Sequence, residues 1–205
     1  FIVDEPYLLA MYRVVAGRAL GDPGQITGIL GQDSFPLEGF IVAQPAAAVA
    51  AMRSDMEAAL AIVRNSDAVV SSPARIMYRL IHADPDLSSD MMVALDEQGD
   101  TGLVVESLAY FAYDEERSKS LSDLADALDR DGKLLQALLK KRGQDWLTQR
   151  LGEAFSLHGV DGPEDFRARY RSTLDAAVAT LGDAGEREEL QRVIELAAAG
   201  NKSGR

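Results

Sequence analysis

The chain has 205 residues, 21 basic and 33 acidic side chains, a formal net charge of −12, 47% hydrophobic residues and no cysteine. A chain of this length buries roughly 70% of the surface its unfolded form exposes, so it can fold on a hydrophobic core alone. The absence of cysteine excludes disulfides, CxxC redox pairs and thiolate metal sites. The acidic balance argues against nucleic acid as partner, because that affinity comes from neutralising phosphates, and against an anionic membrane surface.

Charge is unevenly placed: residues 1–100 hold 6 basic and 14 acidic side chains, and residues 101–205 hold 15 and 19. No window approaches the ~18 consecutive apolar residues of a membrane span. Phe1-Ile2-Val3-Asp4 lacks a basic leader and an apolar h-region, so no signal peptide is expected and the cytoplasm is the expected location.

In chain order, Asp4 is placed to cap a first helix, with Leu8, Met11, Tyr12, Val15 and Ala19 at helical spacing and Gly21 ending it. Residues 21–44 are rich in glycine and proline, and their apolar runs Ile26–Leu30 and Phe40–Ala43 read as a small hairpin or a packed loop. Pro45 opens a helix expected to reach about Asn65, with Val49, Met52, Met56, Leu60 and Val63 as its stripe. Ser72-Pro73 is an N-cap followed by proline at the first helical position, and Asp84-Pro85 is expected to stop that helix. Ser88 or Ser89 would cap the next, and Thr101 the one after Gly99.

Further on, Ser120-Leu121-Ser122-Asp123 reads as a capping box with Asp in place of Glu, and Asp131-Gly132 as a break. Residues 133–158 form a lysine- and leucine-rich helix with a candidate break at Gly143. Asp161-Gly162-Pro163 starts another helix, and a last one spans about 184–199. Helix-length and strand-length runs do not alternate, so the expected class is all-α: a compact array or orthogonal bundle of eight to nine helices with an irregular segment at 21–44. No solenoid period is present. One domain over 1–205 is expected, with its weakest point near 99–101.

Chemistry-bearing patterns are sparse. His82 and His158 each sit at a helix end, where a cation is favoured by the macrodipole. The series Asp84, Asp86, Ser88, Asp90 resembles the start of a calcium loop, but Ser89 and Leu95 stand where Gly and a bidentate Glu are needed. There is no GxSxG elbow, no GxGxxG loop and no HExxH pair. Gly200-Asn201-Lys202-Ser203 has the wrong glycine spacing for a phosphate loop and no helix after it. Catalytic, metal and cofactor residues are therefore all assigned as none.

Two interaction leads remain. Tyr110, Phe111 and Tyr113 are too close on a helix for all three rings to face one core, so at least one should point elsewhere, towards a partner or, on the plainer reading, into the second buried side of a central helix. Lys140, Lys141 and Arg142, with Lys133, Arg167, Arg169 and Arg171, form a basic cluster on an acidic background, against the plainer reading of a solvated, ion-paired face. Trp146, next to it, reads as core. Alanine- and arginine-rich, lysine-poor composition points to a bacterial chain. The function expected is a non-enzymatic protein–protein interaction or regulatory domain that binds a partner or itself. The alternatives are a sensor or helical enzyme with an apolar inter-helix pocket, and a structural subunit.

Overall fold

Aspartate and proline set many of the helix boundaries. The computed structural model describes residues 37–65, 72–112, 121–157 and 163–200. Among them the elements are α1 (Leu37–Ala43), α2 (Pro45–Ser54), α3 (Met56–Arg64), α4 (Pro73–Ala83), α5 (Pro85–Glu97), α6 (Thr101–Ala109), a 3-10 turn (Tyr110–Ala112), α7 (Leu121–Ser156), α8 (Pro163–Ala179) and α9 (Ala184–Gly200). The protein is all-α, and the described residues contain no strand. The expected helix at the N-terminus, the run Ile26–Leu30, Tyr113, Ser120 and His158 lie outside the described residues.

The chain divides into two compact units between Ala83 and Asp84, so the 99–101 boundary lies inside the second. In the first unit α4 packs on α1, α2 and α3, with Phe40, Ile41, Met52, Leu60, Met77 and Leu80 in the core. In the second, α7 packs against α5, α6, α8 and α9. It buries Leu134, Leu138, Leu147, Leu151 and Phe155 along its length, and each buried Leu or Phe contributes about 1.5–3 kcal/mol.

Several expected boundaries are corrected. Part of the segment read as irregular, Leu37–Ala43, is helical, and Leu37, Phe40 and Ile41 bury at i, i+3, i+4 spacing. The helix expected from Pro45 to Asn65 breaks at Asp55, whose backbone is extended (φ −149°, ψ 92°). The Asp55 carboxylate accepts from Ala58 N at 3.0 Å and so caps α3.

Asp84-Pro85 does not merely stop α4; it starts α5, with Asp84 Oδ1 accepting from Leu87 N at 2.9 Å and proline at the first helical position. Ser88 and Ser89 are therefore not caps. They are buried inside α5, their hydroxyls donating back to the carbonyls of Asp84 and Asp86 at 3.0 and 2.8 Å. Thr101 likewise stands inside its helix, and Asp100 takes the cap position without a side-chain bond.

The largest correction concerns Asp131-Gly132, which breaks nothing: α7 runs through both residues. Glycine is required there by α8, since a Cβ at Gly132 would lie 2.5 Å from the Ala177 carbonyl oxygen and 3.0 Å from Thr180 Oγ1. The break expected at Gly143 is present as a kink, with φ 81° and ψ 174° in a helix of 36 residues.

Candidate interaction site

Asp96, in the last turn of α5, organises the polar contacts between α5 and α7. Its side chain is 6% exposed. Thr101 Oγ1 donates to its Oδ1 at 2.8 Å, and Trp146 Nε1 donates to its Oδ2 at 2.7 Å. Arg150 Nε donates to Oδ1 at 3.0 Å and its Nη2 reaches Oδ2 at 3.4 Å. Arg150 is fixed from its other side by Glu153, through Nη1 at 3.0 and 2.9 Å to the two carboxylate oxygens. Arg142 Nη1 pairs with Glu97 at 2.5 Å, and its Nη2 lies 3.9 Å from Asp96.

Trp146 and Arg150 are four residues apart and share one face of α7 beyond the Gly143 kink, while Arg142 closes the helical turn before it. Two guanidinium groups approach the Trp146 ring, with Arg142 Cζ 5.7 Å and Arg150 Cζ 5.8 Å from its centroid. The ring is half-buried. This corrects the core reading of Trp146: its indole N–H needs an acceptor, and Asp96 supplies one at the helix surface.

Burial by itself would raise the Asp96 carboxyl. The bonds from Trp146, Thr101 and Arg150, with the charge of Arg150, outweigh it and hold the group below the ordinary carboxylate value. Arg150 answers in kind: burial would lower it, but the bonds and charges of Asp96 and Glu153 raise it above the usual guanidinium value. Both groups stay ionised, and the seam is a charge-assisted network.

The three cations read as one cluster turn to different neighbours. Lys140 pairs with Glu186 of α9 at 2.9 Å and remains largely exposed. Lys141 Nζ reaches Asp90 Oδ1 and Ser89 Oγ, both at 2.6 Å, and the Asp86 carbonyl at 3.4 Å, so it lies on α5. Arg142 also lies on α5, through Glu97. Elsewhere in the cluster Lys133 pairs with Asp129 at 2.6 Å and Arg171 with Asp175 at 2.8 Å, while Arg167 Nε donates to the Phe155 carbonyl at 3.2 Å.

Tyr110 is half-buried in the 3-10 turn and the adjacent Phe111 is fully buried. His82 closes α4 with its ring 4.6 Å from that of Tyr78. Among the described residues no three His, Asp or Glu side chains converge to hold a metal ion, and no helix is long and apolar enough to cross a membrane.

The arrangement is a half-buried aromatic ring held among fixed cations and carboxylates. The sequence does not single out Asp96, Trp146 and Arg150 together; the signal that could find part of the set is the four-residue spacing of Trp146 and Arg150. No protein-family model matches this chain, and neither a curated protein nor a solved structure does.

Proposed function

We propose that this chain is a helical protein-interaction domain, regulatory rather than catalytic, whose contact surface is the Arg142–Trp146–Arg150 face of α7. The observation that carries the reading is the placement of the only tryptophan. It is half-buried, approached by two guanidinium groups, with its N–H held by Asp96. Tryptophan and arginine are the residues most enriched at interface hot spots, and a ring already immobilised loses little side-chain entropy on binding. Carboxylates already neutralise the cations around it, so the surface suits a partner that packs on the ring and the arginine side chains together rather than one drawn by net charge. A bacterial cytoplasm is the setting that goes with this reading, supported by the cysteine-free, acidic, arginine-rich composition.

The test is photo-crosslinking in cells from a benzophenone amino acid placed at the exposed Asp145, beside the platform. Discrete adducts of protein mass are expected, and Arg142→Glu or Trp146→Ala should abolish them. No adduct from position 145, or a retained small molecule of a few hundred daltons in the native mass spectrum, would count against the reading, the second in favour of a ligand sensor.

A further inference from the structure

Gly143 is the only non-helical residue inside α7, and its φ of 81° with ψ of 174° belongs to a backbone region essentially reserved for glycine. No neighbour demands a glycine there, since a Cβ at 143 would meet nothing within 4 Å. Glycine is needed for the bend alone. On both sides the sequence is a strong helix former: Leu134 to Arg142 before it and Gln144 to Phe155 after it, without proline. Rotation of this one residue into the helical region would make α7 continuous.

A straight α7 could not exist in a lone chain, because Leu147, Leu151, Ala154 and Phe155 beyond the bend are buried. Their partners would have to come from elsewhere, and an identical chain offers every one of them. We infer that the second unit forms a domain-swapped dimer through Gly143, in which α7 straightens and its C-terminal half, with α8 and α9, packs on the N-terminal half of a second copy.

The contacts that cross the bend within one chain become contacts between chains: Trp146 and Arg150 on Asp96, Glu186 on Lys140 and Gln136, and the Ala177 carbonyl against Gly132. Each Asp96 network would then be completed by the partner copy. The same bonds are made in both forms, so their balance rests on the hinge residue and on concentration. This inference goes beyond the platform reading and does not depend on it.

The test is the mass of the full chain by light scattering on a sizing column, for wild type and Gly143→Ala. Alanine disfavours the bend and favours the continuous helix, so the dimer constant should tighten on the order of 100-fold or more. The dimer should keep the native Trp146 emission and should persist on dilution until it is unfolded. Adding Gln144→Pro, which is compatible with the start of a helix but not its interior, should restore the monomer.

A monomeric Gly143→Ala that is merely less stable overturns the inference, as does a dimer that Gln144→Pro leaves intact. Should Gly143→Ala fail to fold, wild type refolded at high concentration decides: a slowly exchanging dimer that Gln144→Pro lacks supports the swap, and its absence refutes it. Persistent monomers with heterologous adducts at position 145 would refute the swap and leave the platform reading standing.

Discussion

Two glycines in the same helix should respond to alanine with opposite signs. Gly132 and Gly152 both lie in α7, where replacing glycine by alanine contributes about 1 kcal/mol of helix propensity. At Gly152 the new methyl would meet the Ala197 carbonyl oxygen at 3.6 Å and its Cα at 3.9 Å, ordinary contact distances. Gly152→Ala should therefore stabilise by about 0.5–1 kcal/mol. At Gly132 the methyl would meet the Ala177 carbonyl oxygen at 2.5 Å, and a backbone atom in the last turns of α8 cannot rotate away.

Separating α7 from α8 should cost about 2–3 kcal/mol of overpacking, at the upper end of the usual range. The net effect of Gly132→Ala is then a loss of about 1–2 kcal/mol, after the propensity gain of roughly 1 kcal/mol is subtracted. The assay is urea unfolding followed by far-UV circular dichroism and by the emission of Trp146, which reports on the second unit alone. In heat, the expected fall in Tm is roughly 3–8 °C. Gly132→Ala equal to or more stable than wild type would refute the close approach of α7 and α8.

Further outcomes follow from single contacts. Asp96→Ala removes the acceptor of Trp146, Thr101 and Arg150 and should cost about 2–3 kcal/mol, read as a lower urea midpoint; an unchanged midpoint would show the network to be idle. Because the folded carboxyl lies below its unfolded value, its contribution is complete above the ordinary carboxylate range and is lost as pH falls through the folded value. Asp96→Asn should flatten that part of the acid stability profile.

Tyr170 is fully buried between Phe155 and Phe166, and no hydrogen-bond partner for its hydroxyl occurs among the described residues. Burial, and then the Asp131 charge, push its ionisation up. Folded protein therefore holds that proton above pH ~10 while unfolded protein releases it, and stability falls as pH rises. Tyr170→Phe should be neutral or stabilising near pH ~7 and should soften the alkaline loss. Asp55→Ala should remove the α3 cap at a cost of about 1 kcal/mol, measured by thermal unfolding.

Local signals in the sequence carried most of the helices, because caps and apolar spacing act within a turn or two. Pro73, Pro163 and Gly143 mark observed boundaries for that reason. Asp131-Gly132 misleads because an Asp-Gly pair is a turn signal in isolation, whereas the glycine answers to Ala177 of α8, more than forty residues further on. Asp84-Pro85 reads as a stop for the helix before it, while the same two residues cap and open α5.

The site was legible only in part. Lys140, Lys141 and Arg142 could be seen as a run, but which neighbour each one faces depends on α5 and α9. Trp146 reads as core from the sequence because its ring is large and apolar, and its half-buried position is set by Asp96, fifty residues away in sequence.

The most direct test of the Asp96-centred platform uses the one indole N–H in the chain. Its indole resonance should appear once in a nitrogen-correlated NMR spectrum, exchange slowly with solvent, and move clearly in Asp96→Asn. A resonance at the free-indole position that exchanges rapidly and is unchanged by Asp96→Asn would show that Trp146 is not held there, and the platform would fall with it.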